Sequence, residues 1–551
     1  MPVTPTYPGV YIEEIPSGVH TITGVATSIT AFVGRAYYGP VNTPTTINSY
    51  SDYDNIFGGL WANSMMSFAV NDFYQNGGAQ AIIVRLAPDD ATTASISLAG
   101  NTASPPSSPL ASAFTTLNLE ASSPGAWGNY IGVIVDLNTK NPSDGTLFNL
   151  TAQLTDPTGK QILVSEKFLN LSVDPASSRY VATYLAQNSE LLVVQQDPLG
   201  DYEVPGEQPV ATPASPVTLP SGVVVDIVLP VNLQNGSDGV LDISDLDIVG
   251  NQGAKKGLYA LEYSDLFNLL VIPPYNPANL SGNPPDDVDV TVQAAAAAYC
   301  VQRRAFYIMD PPSSWVNLTD ALNGFSNFSA NIGDNGDHCA LYFPQLVEAN
   351  PLNGGQLQTF VPSGAMAGMY ARIDGQRGVW KAPAGQETAL TGVQALSVPL
   401  TDMENGQLNP MGLNCLRSFP LIGRVIWGAR TLQGADQLES QWKYIPVRRF
   451  ALFMEESLYR GTKWVVFEPN DDSLWAQIRL TVGSFMQGLF RQGAFQGTSP
   501  TTAYFVKCDS ETTTPNDIDS GVVNIVVGFA PLLPAEFVII QIQQMAGQLQ
   551  V

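Results

Sequence analysis

GVATSITAFVGRA (24–36), SMMSFAVNDFYQNGG (64–78) and AIIVRL (81–86) carry the reading that decides the fold. The first and third are short apolar runs of the kind found in buried strands. Between them, Met66, Phe68 to Val70 and Phe73 recur at helical spacing, and Gly77-Gly78 supplies a stop. Strand, helix, strand is the signature of an α/β layer. The pattern returns after Gly257, where FNLLVIPP (267–274), VQAAAAAYCVQRR (292–304) and AFYIMDPP (305–312) read as strand, helix and strand. The run Ala294 to Ala298 suits close helix packing.

What separates the two blocks has a different composition. Thr, Ser, Ala and Pro dominate 88–108 and again 204–222, which read as loops or linkers. Strand-like runs lie between them, at 130–137 and 161–164. Residues 151–250 hold 13 acids and 3 bases, so an acidic, mostly β module is expected as an insertion at 91–249, splitting a middle α/β domain of 23–90 and 250–360.

The last third offers two helices. VRRFALFMEESLYR (447–460) ends before Gly461, and 471–491 begins with acids and ends with Arg491, which suits the helix dipole. Strands are expected at 522–529 and 537–542. The chain also starts with an alternating segment, 7–15, followed by the breaker Pro16-Ser17-Gly18. Both ends are thus β-competent segments beside a breaker: Gly18 at one end, Pro531 and Pro534 at the other.

The 551 residues carry 49 acids against 24 bases, a net charge of −25, which argues against binding a phosphate polymer. Residues 1–360 hold 33 acids and 10 bases, whereas 361–551 hold 16 and 14, an asymmetry that suggests two faces with different partners. Four widely spaced cysteines describe no disulfide framework and fit a reducing compartment. No basic-then-apolar leader is expected, nor any apolar run near the ~18 residues of a membrane span. With only His20 and His338, histidine chemistry has few options. DNGDHC (334–339) reads as a loop before a strand, and there is no phosphate-binding loop or dinucleotide fingerprint. No enzyme activity and no cofactor are expected; a secreted β-rich hydrolase is the weakest rival, with no specific motif behind it.

Several long stretches together resemble the contractile tail sheath proteins of bacteriophages and of contractile injection particles. They are VPSGAMAGMYARIDGQRGVWKAPAG (361–385), LNPMGLNCLRSFPLIGRVIWGARTL (408–432), 447–471, GAFQGTSPTTAYFVKCD (493–509) and PAEFVIIQIQQ (534–544), with YPGVYIEEIPSG (7–18) and PGAWGN (124–129) upstream. The resemblance implies an α+β multi-domain subunit: a tube-proximal domain (361–530), the middle α/β domain, the outward β-rich insertion, and exchange arms at 1–22 and 531–551. It implies six-fold rings stacked helically around an inner tube protein, with baseplate and terminal cap proteins as further partners, and contraction that drives the tube through an envelope without hydrolysis. It implies assembly in a bacterial cytoplasm into a phage tail or an injection particle, with no nucleic-acid partner and no direct membrane insertion. On this reading Val10, Ile12, Phe537 and Ile539 anchor the exchanged strands, with Gly18, Pro531 and Pro534 as hinges. Lys443, Arg448, Arg449 and Lys463 are candidate contacts to an acidic tube. The alternative from another class is a static self-assembling shell or filament.

Overall fold

The computed structural model describes residues 20–101, 114–218, 224–239, 243–276 and 287–541. Its centre is an eight-stranded sheet: β1 (Thr30–Gly34), β2 (Thr45–Ile47), β3 (Ala81–Arg85), β4 (Leu269–Val271), β5 (Phe306–Met309), β6 (Cys339–Phe343), β7 (Asn414–Phe419) and β8 (Gly423–Ile426). The spatial order is β2-β3-β1-β4-β5-β6-β7-β8. From β3 through β7 every pairing is parallel, and β2 and β8 close the two edges antiparallel.

Parallel strands are covered on both faces, so each alternates its side chains between two cores rather than between core and water. Ala31, Val84, Leu270, Tyr307, Leu341 and Cys415 face one core, packed under α3 (Val290–Arg303) and α4 (Leu318–Ile332). Phe32, Ile83, Val271, Ile308, Tyr342 and Leu416 face the other, under α1 (Tyr50–Phe57), α2 (Met65–Gln75) and α5 (Ser363–Arg377). The strand–helix–strand readings at 24–86 and 267–312 correspond to β1, α2 and β3 and to β4, α3 and β5.

β7 and β8 lie beyond residue 360, and α5 covers the sheet from beyond that point too. The boundary expected between a middle domain and a 361–530 domain therefore runs through one sheet. The reason is that α5 is buried on nearly all sides, from Ser363 through Ala371, and so has no polar face to show in its sequence.

Residues 92–237 form the insertion. Thr92 and Ser237 exchange backbone hydrogen bonds of 3.0 and 3.1 Å at its stem. Antiparallel strands dominate it, the longest being Leu147–Thr155 and Ile162–Ser172, around a separate core that includes Trp127, Phe148 and Leu185. Two stretches expected as loops contain strands, Ser95–Ala99 and Ala214–Thr218, because each pairs with a partner whose sequence lies elsewhere.

A fourth core belongs to the C-terminal unit. Helix α6 (Ile445–Gly461) crosses α7 (Asp472–Arg491), and Phe450, Met454, Leu474, Ile478, Val482 and Met486 meet between them. Pro446 in the first turn of α6 and the Asp471 side chain accepting from Leu474 N at the start of α7 set their N-termini.

Candidate inter-subunit site on the C-terminal unit

Both described ends of the chain meet this unit. At the N-terminal side the His20 ring stacks on Trp464 with centroids 4.1 Å apart, and Ile22 enters the α6/α7 core. Val25 N donates to Ser457 Oγ at 3.1 Å, and the Thr27 carbonyl accepts from Arg449 at 2.9 Å, so 20–27 runs along α6. Residues 1–19, with Val10, Ile12 and Gly18, lie outside the described residues.

The unit also carries a sheet of only two strands, Tyr504–Lys507 and Val526–Phe529, paired antiparallel from Tyr504 opposite Phe529 to Lys507 opposite Val526. Inner side chains such as Val506 and Val527 rest on the α6/α7 core, while Phe505 is 50% exposed. Among the described residues no further strand joins either outer edge. A two-stranded ribbon is marginal alone and offers an unpaired row of N–H and C=O groups on each side.

The chain then returns across the body. Gln496 N donates to the Ala530 carbonyl at 2.9 Å, Ala530 N donates to the Ala503 carbonyl at 2.8 Å, and Pro531 bridges to Phe495. Glu536 closes the return. It receives Arg430 Nε at 2.8 Å, a terminal Arg430 nitrogen at 2.6 Å and the Tyr444 hydroxyl at 3.2 Å. Arg430 is fully buried and is held from its other side by Asp436 at 2.9 Å, which also takes Lys443 at 2.5 Å. These ion pairs hold the Asp436 carboxyl below its ordinary range, the Lys443 hydrogen bond contributing most. Between this tail root and the body lies a groove of about 920 Å³, walled by Trp380, Trp427 and Pro410 on one side and Leu532 to Phe537 on the other.

From Phe537 the character changes. Phe537, Val538, Ile539 and Ile540 are 74%, 80%, 84% and 79% exposed, and none of them pairs as a strand among the described residues. Of the strand expected at 537–542, residues 537–541 form no strand among the described residues, and 542 lies outside them. Four consecutive apolar residues in water are costly unless another surface covers them.

The basic candidates divide. Arg449 is 3% exposed and makes a two-pronged pair with Asp374 on α5 at 2.9 and 2.6 Å. Arg448 is 8% exposed and donates to His338 Nε2 at 2.6 Å. An arginine has only donors, so that ring nitrogen accepts and Nδ1 donates to Asp337 at 2.6 Å. The outward, tube-facing role expected of Arg448 and Arg449 is corrected to an internal one: they fasten α6 to the sheet unit. Lys463 is exposed beside Tyr459, and Lys443 is tied to Asp436. His338 and Cys339 belong to this packing, with the cysteine buried at the start of β6. Sequence reasoning missed Arg430 and Glu536, which stand 106 residues apart and become a pair only through folding.

The chain is similar to known proteins in sequence and in fold. Residues 438–545 match the model of the phage tail sheath C-terminal domain. The tail sheath protein of Burkholderia phage BcepMu is 23% identical over 499 residues, 89% of this chain and 87% of that one. The contracted sheath complex of the extracellular contractile injection system PVC superposes with a TM-score of 0.55 at 21% identity, covering 98% of both chains. The contracted helical sheath of the anti-feeding prophage gives 0.53 at 22%, covering 98% of this chain and all of that one. The chain is thus similar in sequence and in fold to sheath proteins of phage tails and contractile injection systems. Among the described residues no helix is long and apolar enough to cross a membrane.

Proposed function

We propose that the chain is the subunit of a contractile sheath that polymerises as stacked six-fold rings around an inner tube and shortens to drive that tube forward. Copies are linked by exchanged strands: residues before His20 of one copy and residues after Glu536 of another add to the free edges of the 504–507/526–529 ribbon of a third. The observation that carries this reading is the meeting, on one unit, of both described ends of the chain and a two-stranded ribbon to which, among the described residues, no further strand is added. Main-chain hydrogen bonds supply the joining energy whatever the side chains, and alternate residues set register, here Val10 with Ile12 and Phe537 with Ile539.

An arm of about eight residues gains several hydrogen bonds at roughly 0.5–1.5 kcal/mol each, and buried side chains at roughly 1.5–3, against ordering costs near 1–2 per residue. One link is marginal. Many links acting together hold a lattice while the bodies slide. The inner tube, the baseplate and a terminal cap are the further partners, with Lys463 the basic candidate left exposed toward the tube, and assembly takes place in a bacterial cytoplasm.

Deleting residues 1–15 tests the proposal. Electron microscopy of the purified, assembling protein should show hollow helical tubes for the parent and free or ring-sized particles for the variant. Full-length, contracting sheaths from the deleted chain would refute it, and closed particles from the parent would favour a static shell.

A further inference from the structure

The tail does not become free at its prolines. Pro531 is bridged to Phe495, Ala530 is hydrogen-bonded to Gln496 and Ala503, and Glu536 is gripped by Arg430 and Tyr444, whereas the next four residues are at least 74% exposed. We infer that Arg430 and Glu536 form the clamp that fixes where the C-terminal arm leaves the body, so that the moving joint lies at the Glu536–Phe537 step and Pro531 to Pro534 belong to the fixed root. This rests on the strand-exchange reading above and adds to it a positioning residue and a departure point.

The chemistry favours a clamp over an incidental surface pair. Arg430 is fully buried and presents its fork to both Glu536 oxygens, a geometry that fixes direction as well as distance. Its remaining donor is shared by Asp436 at 2.9 Å and the Gly434 carbonyl at 3.2 Å, so the guanidinium itself is immobilised before the tail arrives. Asn414 secures the Arg430 backbone on both sides, its Oδ1 accepting at 2.7 Å from the amide and its Nδ2 donating at 2.7 Å to the carbonyl. Asn414 opens β7, so the clamp is referenced to the main sheet rather than to the α6/α7 unit alone. A fixed departure point restricts which neighbour's ribbon a short arm can reach. Each copy then makes the same link, and one helical lattice results in place of a mixture.

Glu536→Ala tests this in the full-length protein. Arg430 keeps Asp436 and the Gly434 carbonyl, so the body should fold as the parent does. Amide exchange over 530–536 in the unassembled chain should quicken by roughly tenfold or more while β4 to β6 stay protected. Polymers should still form, but with a spread of diameters and rises in place of one class by electron microscopy. Glu536→Gln, which keeps the side chain's length and loses its charge, should fall between the two. A truncation after Glu536 is the control for the underlying reading. If truncated chains still build normal sheaths, strand exchange through this arm is refuted and the clamp with it. If truncation blocks assembly while Glu536→Ala leaves polymer order unchanged, whatever the exchange rates do, the clamp alone is overturned.

Discussion

Asp72 on α2 and Glu348, in the strand Leu346–Asn350 that follows β6, face each other with little access to water, 4% and 9% exposed. Each leaves one carboxyl oxygen without a hydrogen-bond partner. Burial raises Glu348 from its ordinary 4.5 to about 7, and burial together with the Glu348 charge raises Asp72 as well. Asp310 is raised from 3.8 to about 7 by burial, against hydrogen bonds from the Ser363 amide and hydroxyl that favour its charged form. Between the unfolded and folded values the folded chain holds more protons than the unfolded one, so the contribution of Glu348 and Asp310 to stability falls as pH rises from their ordinary 4.5 and 3.8 to about 7. Glu348→Gln, which cannot ionise, should narrow the gap in melting temperature between pH 5 and pH 8 by about 2–4 °C. Melting curves with an undiminished gap would show that the pair is not the source. Nothing local in the sequence marks these groups: Asp72 and Glu348, like Arg449 and Asp374, meet only through the fold.

At the scale of elements, α2 and α5 pack backbone against backbone. A methyl group at Gly364 would sit 2.1 Å from the Ala69 carbonyl oxygen, and one at Gly368 would sit 2.3 Å from that of Phe73. Both obstacles are backbone, which cannot swing aside as a side chain can, so the two helices touch main chain to main chain. Gly368→Ala should cost roughly 1–3 kcal/mol by forcing the helices apart, read as a lower melting temperature of the unassembled chain. A variant with the parent's stability would mean that α2 shifts freely on the sheet. The pattern G-A-M-A-G is visible in the sequence, yet its helix is not, because a helix buried all round loses the 3.6-residue polarity rhythm. Helix α7 was legible because it keeps an exposed stripe and an acidic start, whereas α2 and α6 were legible from the spacing of their large apolar residues and the glycines that end them. The strands β7 and β8 were not separable from their surroundings because they are short, and Arg417, Ser418 and Arg424 break the apolar run that marks a buried strand.

For the molecule as a whole, the stem at Thr92 and Ser237 and the separate core of the insertion predict that residues 92–237 fold alone, seen as a cooperative thermal transition of that fragment. Replacing 93–236 by a short linker should leave the main sheet folded but less stable, since Arg85 donates to the Pro124 carbonyl at 2.8 Å and Tyr38 stacks near Trp127 at 4.8 Å. A fragment without a cooperative transition would show that the insertion needs the body. Composition and local periodicity by themselves determined the α/β character, the acidic β-rich insertion and the two long C-terminal helices, because each of these is written in neighbouring residues. Only the tertiary structure decided that the sheet extends past residue 360, that Arg448 and Arg449 point inward, and that the C-terminal tail is pinned at Glu536. Those outcomes depend on partners tens to hundreds of residues away, and a charge becomes a clamp or a contact only when folding chooses what it is buried against.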